Sequence, residues 1–206
     1  MALLHFAAGS APDVRFIGVE PALNMRKRAR ELTRQYQNVE IVDGSFESLP
    51  LESASVDYLY SILAFHWTTD LAESVRELSR VLKPTGEMDL FCIGRNNGRE
   101  FIWKTTPIFL KYMGPALLLE SAAMRKQLTK QAALRVFESG FEKRRLVVEE
   151  SQETYYDTLD GHWSWWVRIE GQFIKIPEDK KKVCDLEVKA ALGSLATSRG
   201  IPYTVH

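Results

Sequence analysis

Three short motifs in the first third of the chain contain residue types that could bind one ligand together. Glu20 closes the apolar segment FIGVE, and Ser45 and Phe46 follow the segment VEIV. His66 and Trp67 follow the segment VDYLYSILAF. A carboxylate can accept hydrogen bonds from both hydroxyls of a ribose, and an aromatic ring can cover the face of a base. An imidazole can act as a general base near neutral pH.

Each motif taken alone also has a structural explanation. Glu20 could stabilise the N-terminus of the helix that follows it. The segment around Ser45 could be a simple turn with Phe46 in the core, and His66 could be a hydrogen-bonded structural histidine. The combination is more specific than its parts, because the three motifs follow three successive predicted strands.

The segments around the motifs alternate between short apolar strands and amphipathic helices. The pattern predicts strands at Arg15–Val19, Val39–Val42, Val56–Ser61 and Glu87–Ile93. It predicts helices at Ala2–Ala8 and Leu23–Tyr36, and a third that is capped near Asp70 and extends to Leu82. Such alternation is typical of an α/β fold with a parallel, doubly wound sheet. Ligands bind at the carboxyl ends of the strands in these sheets, which is where the motifs stand.

The second half of the chain predicts a helical cover over this sheet. The pattern indicates a helix at Lys126–Ser139, a strand at Phe141–Glu149 that rejoins the sheet, and a charged helix at Pro177–Ser198. Between them, the aromatic segment Tyr155–Trp166 predicts either a cover helix or the roof of an apolar pocket. We therefore divide the chain into a core at 1–94, a helical cap at 95–140, and a last part at 141–206.

Composition excludes several classes of function. The chain has 206 residues, of which 45% are hydrophobic and 26% charged, as in an ordinary globular protein. Its 27 basic residues balance its 27 acidic residues, which argues against nucleic acid or an acidic membrane as partner. Cys92 and Cys184 are too few and too distant in sequence for a disulfide framework or a metal site. No signal peptide or membrane-spanning run is evident, so we expect a cytoplasmic protein.

Four segments together resemble a known family. GVEPALNM, VDGSFESLP, VDYLYSILAFHW and ELSRVLKPTGEMDL resemble, in order and spacing, the class I S-adenosylmethionine-dependent methyltransferases. The resemblance covers roughly Ala2 to Ile93 and is strongest to the small-molecule branch called methyltransferase type 11. It implies a Rossmann-like fold and transfer of a methyl group from S-adenosyl-L-methionine to a small-molecule acceptor.

The resemblance also implies two sets of site residues. Glu20 would bind the ribose hydroxyls, although the family usually has an Asp at the position of Ser45. The full set of cofactor-binding residues is Glu20, Met25, Ser45, Phe46, Ser61 and Ile62. Phe65, His66 and Trp67 would border the methyl-transfer chamber, so Phe65 and Trp67 would contact the acceptor. If the aromatic segment roofs the pocket, Trp163 also contacts the acceptor. His66 is the candidate base, with Tyr155 of the same segment in reserve.

The sequence departs from the family at both ends. The family has a first strand and a glycine-rich loop before the helix with which this chain begins, and Met1 stands where that loop would have ended. At the other end, GIPYTVH resembles the turn before the family's last antiparallel strand, so we expect that strand to be incomplete. A missing central strand would leave open sheet edges, through which a homodimer could form.

These departures leave two interpretations open. The chain could be a methyltransferase, or a fragment of one, that acts on a small molecule. It could instead be a non-catalytic, methyltransferase-like binding or assembly module that has lost cofactor binding.

Overall fold

The computed structural model describes residues 11–124, 126–142, 144–170 and 174–206. The helix predicted at Ala2–Ala8 lies outside these residues. The strands are β1 Phe16–Val19, β2 Val39–Val42, β3 Val56–Ile62, β4 Leu82–Phe91, β5 Glu153–Asp157 and β6 Ile201–Val205. The helices are α1 Leu23–Thr33, α2 Leu71–Val81, α3 Arg99–Ala123, α4 Lys130–Glu138, α5 Leu159–Glu170 and α6 Glu178–Gly193. A single 3₁₀ turn, Phe65–Trp67, follows β3.

In the described residues the strands pair two by two. β1 pairs with β2 and β3 pairs with β4, both in parallel, whereas β5 and β6 pair in antiparallel. The parallel pairs are each joined by a helix, as the predicted α/β class requires. Within the described chain, β1 and β3 each have a strand partner on one side only.

Helix α2 shows how closely local sequence and structure agree in the first half. The side chain of Asp70 accepts a hydrogen bond of 3.0 Å from the backbone N–H of Glu73, which caps the helix. Val75, Leu78 and Val81 then face the core with at most 1% of their surface exposed. The predicted helix and its apolar face are therefore confirmed, with the end one residue earlier than expected.

Among the described residues, two large hydrophobic cores and one small one hold the elements together, and the small one packs Ala29 of α1 against Ile41 of β2. The first joins residues of α2 and β4 to Phe65 and to Phe137 and Phe141 of the second half. The second packs α3, α5 and α6 around Phe101, Trp166 and Leu192. The first core therefore includes residues on both sides of the divisions that we predicted from sequence.

The strand predicted at Phe141–Glu149 is wrong. Phe141 continues the turn after α4, because its N–H donates to the carbonyl of Phe137 at 3.0 Å and its ring enters the first core. The strand in this region is β5, which begins four residues after Glu149. Tyr155 therefore lies in a strand, and the helix expected at Tyr155–Trp166 begins at Leu159.

The expectation for the end of the chain is also corrected. The segment at Ile201–Val205 is a strand, rather than a turn before an incomplete one. It pairs with all five residues of β5, and the hydroxyls of Thr154 and Thr204 lie 2.9 Å apart across the pair. Cross-strand pairing of this kind stabilises β5 at the expense of the alternative strand upstream.

Strand β4 begins with an irregular segment whose backbone carbonyls accept hydrogen bonds from a side chain distant in sequence. Its register with β3 skips Lys83–Gly86, which leaves carbonyls there without strand partners. The guanidinium of Arg144 donates to the carbonyl of Lys83 at 2.5 Å and to that of Gly86 at 2.8 Å. Buried backbone carbonyls need such partners, so Arg144 attaches the turn after α4 to the sheet.

No helix among the described residues combines the length and the apolar composition needed to cross a bilayer. The described residues also contain no group of three or more His, Cys, Asp or Glu side chains that could hold a metal ion.

We expect Leu78→Ala to lower the free energy of unfolding by about 2–5 kcal/mol, because it leaves a cavity at a side chain with 0% exposure in the first core. Leu119→Ala is the matched control, since that leucine is 70% exposed and its truncation leaves no cavity. Urea denaturation followed by circular dichroism measures both. Equal losses for the two variants would contradict the assignment of the core.

Candidate functional site

Arg26 joins the carboxyl ends of β1 and β2. Its guanidinium donates to both carboxylate oxygens of Asp43, at 2.9 and 3.0 Å, and to the carbonyl of Glu20 at 2.8 Å. The Arg26 side chain is 9% exposed although it is charged. Asp43 is 70% exposed, so only the guanidinium of this pair is buried. A bidentate pair fixes geometry as well as charge. Arg26 thereby positions the strand end that carries Glu20.

Arg26 is not among the site residues that we predicted from the sequence. The sequence did contain a signal for this ion pair, namely the positions of its two charged residues. An Asp directly after β2 and an Arg in the first turn of α1 both lie at the same end of the sheet.

Glu20 lies just before α1 and keeps one carboxylate oxygen free. Its Oε1 accepts a hydrogen bond of 2.9 Å from the N–H of Ala22, which agrees with the helix-start explanation. Within the described residues, its Oε2 has no hydrogen-bond partner. One carboxylate oxygen at the end of β1 is therefore available to a ligand hydroxyl.

The turn after β2 places Phe46 against the first core, whereas Ser45 takes part in the backbone hydrogen bonds of the turn. The ring of Phe46 packs edge to face on Phe65 with centroids 5.2 Å apart, so much of it belongs to the first core. Ser45 and Ser48 exchange two backbone hydrogen bonds of 3.2 Å. A Cβ on Gly44 would lie 2.5 Å from Cδ of Pro50, so this tight turn requires glycine. The binding roles of Ser45 and Phe46 stay predictions.

Glu47 connects this turn to the next motif. Its Oε1 accepts hydrogen bonds from the hydroxyl of Thr68 at 2.6 Å and from the N–H and hydroxyl of Thr69 at 2.6 and 2.8 Å. The two threonines directly follow Trp67 and precede the cap of α2. One carboxylate oxygen thus holds the end of the turn that carries His66 and Trp67.

These hydrogen bonds also determine the charge state of Glu47. Burial raises the pKa of the carboxyl, but hydrogen bonds from Thr68, Thr69 and Ser45 lower it by more. The pKa therefore lies well below its ordinary value of 4.5. Hydrogen bonds donated to the ionised form are the physical cause of such a shift.

The 3₁₀ turn after β3 divides its three residues between the core and the surface. Phe65 is 1% exposed and packs between Phe46 and Phe137, with ring centroids 5.2 and 5.3 Å away. Trp67 is 43% exposed and lies 5.6 Å from the His66 ring. The predicted acceptor contact of Trp67 has an accessible surface, whereas Phe65 lies in the core.

His66 is half-buried and hydrogen-bonded to the neighbouring strand end. The N–H of Ile93 donates to Nδ1 of His66 at 3.5 Å. Burial lowers the pKa of the imidazole, so the ring is neutral near pH 7.

Strand β3 ends with two residues that fit the predicted cofactor. The hydroxyl oxygen of Ser61 is buried and has no hydrogen-bond partner in the described part of the chain. Ile62, the next residue, is 51% exposed. Buried polar atoms normally have partners, so an unpaired hydroxyl at a strand end fits a polar ligand group. On the α1 side, Met25 is 57% exposed and presents an apolar surface.

The structure does not bring Tyr155 and Trp163 into this group. Tyr155 lies on β5, and its hydroxyl donates to Glu153 at 2.7 Å. Trp163 packs in the second core, 5.8 Å from Trp166 and beneath the ammonium group of Lys189. Among the described contacts, neither residue touches His66 or Trp67, and the roles predicted for them stay predictions.

Known proteins similar to this chain match its first half. Residues 2–89 match the family model of the methyltransferase domain. An uncharacterized methyltransferase of Schizosaccharomyces pombe is 34% identical over 93 residues, which are 45% of this chain and 37% of that protein. Demethylmenaquinone methyltransferase of Staphylococcus saprophyticus is 31% identical over 106 residues, 52% of this chain and 41% of that protein.

The fold is similar over nearly the whole chain. The crystal structure of the YcgJ protein of Bacillus subtilis superposes with a TM-score of 0.61, covering 98% of this chain and 82% of that one at 20% identity. The Rossmann-like fold predicted from sequence is thereby confirmed. The aligned part nevertheless spans well under half of each of the two curated relatives.

We expect Glu47→Gln to lower the free energy of unfolding at pH 7 by about 1–3 kcal/mol, because hydrogen bonds to a charged acceptor are the stronger ones. The native pKa is depressed, so the contribution of Glu47 is complete above its unfolded value of 4.5 and is lost as pH falls below that value. The variant should therefore differ from the parent at pH 7 and approach it in acid. Parallel urea titrations at pH 7 and pH 3 measure this, and a difference that is larger in acid would contradict it.

Arg26→Met should destabilise the end of β1 and cost about 1–3 kcal/mol, because it removes the hydrogen bonds to Asp43 and Glu20. Arg28→Met is the control, since that arginine is 65% exposed and only pairs with Glu31. Hydrogen exchange of the β1 amides reports the local effect. Unchanged protection in Arg26→Met would show that the pair does not position Glu20.

Proposed function

We propose that this chain, whose residues 2–89 match the family model of the methyltransferase domain, is a class I S-adenosylmethionine-dependent enzyme that transfers a methyl group to a small-molecule acceptor. The observation that carries the proposal is the set of open groups at the carboxyl ends of β1 and β3. These are the free oxygen of Glu20, the unpaired hydroxyl of Ser61 and the neighbouring His66–Trp67 pair. All of them stand where a doubly wound fold binds ligands.

The residues present fit S-adenosyl-L-methionine. Glu20 would bind a ribose hydroxyl through Oε2, Ser61 would bind a polar group of the methionine part, and Met25 would lie against the adenine. When bound, this cofactor supplies an electrophilic methyl group on a cationic sulfur. Aromatic faces stabilise such cations, and Trp67 exposes one beside the site.

The protein's contribution to this reaction is mainly placement. Methyl transfer requires the acceptor atom in line with the methyl group and the exclusion of water. Ile62 and Trp67 offer accessible apolar surfaces that suit a small, largely apolar acceptor. The open apolar surface and the zero net charge favour a small molecule over a nucleic acid.

A second candidate function is a non-catalytic binding or assembly module. The one-sided pairing of β1 and β3 in the described chain favours it, because unpaired strand edges bind further strands. A homodimer through these edges belongs to the same proposal. Light scattering of the purified chain measures its mass in solution, and a strict monomer would argue against the homodimer.

Isothermal titration with S-adenosylmethionine and S-adenosylhomocysteine tests the leading proposal. We expect both to bind, and Glu20→Ala to weaken them at least tenfold, about 1.4 kcal/mol, by removing charge-assisted hydrogen bonds. Glu31→Ala is the control, because that carboxylate lies on the exposed side of α1 and pairs with Arg28. A chain that binds neither compound is not an active methyltransferase. That result would favour the non-catalytic binding or assembly module.

A further inference from the structure

The pair of strands β3 and β4 has one face in the first core and one face that is open. Side chains alternate between the two faces of a strand. Leu59, Met88 and Leu90 belong to the first core. The residues that alternate with them share the opposite face, which we call the open face: Tyr58, Tyr60 and Ile62 of β3, and Glu87, Asp89 and Phe91 of β4.

Contacts across the two strands agree with this assignment. The register places Tyr58 opposite Glu87, Tyr60 opposite Asp89, and the last two residues of the open face opposite each other. The rings of Tyr58 and Tyr60 lie 6.4 Å apart, and the hydroxyl of Tyr58 donates a hydrogen bond to Asp89. The six side chains therefore form one continuous surface.

The open face lacks a cover. Tyr58, Ile62 and Phe91 are 50%, 51% and 59% exposed. None of the six residues belongs to a hydrophobic core of the described chain. Parallel sheets normally carry helices on both faces, because both faces are largely apolar. A further element that packs on this face would bury apolar and aromatic surface that is now in water.

The open face is also negatively charged. Glu87 and Asp89 are exposed, and neither forms an ion pair with another residue that the structure describes. Two carboxylates beside two tyrosine rings suit cationic side chains, which gain from ion pairing and from contact with the ring faces. The chemistry of this surface therefore favours an amphipathic, basic partner.

Helix α1 presents such a surface on its exposed side. Lys27 and Arg34 lie seven residues apart, so they stand on the same side of the helix, two turns from each other. Leu23 lies one turn before Lys27 and is 54% exposed. Both cations are exposed, and neither has an ion-pair partner in the described part of the chain. The stripe thus combines one apolar residue with two available positive charges.

We propose that the open face of one molecule docks helix α1 of a second copy of this chain. The order of side chains on the two surfaces matches. Along α1, Leu23 comes first, and the cations Lys27 and Arg34 follow. Along the open face, read backwards from the carboxyl ends of the strands, the apolar side chains come first and the two carboxylates follow. The helix therefore lies antiparallel to the strands.

In this arrangement three groups of side chains meet. They are Leu23 with Ile62 and Phe91, Lys27 with Asp89, and Arg34 with Glu87 and the ring of Tyr58. The first two contacts are about 6 Å apart along a helix and about 7 Å along a strand. The last two are about 10 Å apart on the helix and about 7 Å on the strand, a difference that the long arginine side chain spans.

A second copy suits this role better than the same surface paired with itself. Two open faces would bring four carboxylates together, whereas the open face and α1 carry opposite charges. The net charge of the chain is zero, so no overall repulsion keeps two copies apart. Each molecule offers both surfaces, so the contact is heterologous and closes into a ring or extends into longer assemblies. It uses a sheet face and is separate from pairing at the strand edges.

Sedimentation velocity of the whole chain tests the inference without cofactor or substrate. We expect the average mass to rise with protein concentration at about 0.05 M salt and to fall towards that of the monomer at about 0.5 M salt, because salt screens exposed ion pairs. A chain that stays monomeric at every concentration has its open face covered in another way or not at all, and this result would overturn the inference.

Charge reversal identifies the two surfaces. Glu87→Lys and Arg34→Glu should each weaken self-association at least about fivefold, because each variant brings like charges together. The double variant exchanges the two charges and should recover most of the association. Glu138→Lys is the control, since this exposed carboxylate lies on α4, on the core side of the sheet, and changes the net charge as Glu87→Lys does.

Two further results would contradict the docking of α1. Self-association that neither charge reversal changes would place the contact elsewhere, for example at the strand edges. A double variant that stays as weak as the single variants would show that the two charges do not face each other. Neither measurement involves S-adenosylmethionine, so the outcome is independent of the proposed methyl transfer.

Discussion

The candidate site depends on one carboxylate oxygen, Oε1 of Glu47. It collects three hydrogen bonds from Thr68 and Thr69 and so joins the loop after β2 to the turn after β3. Without this link, the two loops would be connected mainly through the contact of Phe46 with Phe65. Because the acceptor is ionised, the link is directional, and it fixes where α2 begins as well as where His66 and Trp67 stand.

The elements of the first half could be predicted from sequence, because their signals are local. The cap at Asp70 directly precedes the eleven residues of α2 that carry the apolar spacing, and strand β2 coincides with its predicted bounds. Arg26 and Glu47 could not be assigned in the same way. Their partners lie 17 and more than 20 residues away, and no periodicity indicates a hydrogen bond across such a distance. The strand ends could therefore be predicted from the sequence, whereas the residues that position them, Arg26 and Glu47, could not.

In the second half of the chain, local sequence patterns were present but could be interpreted in two ways. The apolar run Leu146–Val148 makes Phe141–Glu149 resemble a strand as much as β5 does. The choice between the two depends on β6, which lies some fifty residues away. Aromatic content was equally ambiguous at the level of sequence. Trp163 belongs to the second core and Phe65 to the first, so both contribute packing, while Trp67 keeps an accessible face.

The bulge of β4 has a consequence for how the chain folds. The carbonyls of Lys83 and Gly86 are satisfied by a guanidinium about sixty residues further along, so the start of β4 cannot be completed from the first half alone. Contacts of such long range close a large loop and are made late and slowly in folding. During synthesis, the pairing of β3 with β4 would therefore lack these hydrogen bonds until the chain beyond α4 has left the ribosome.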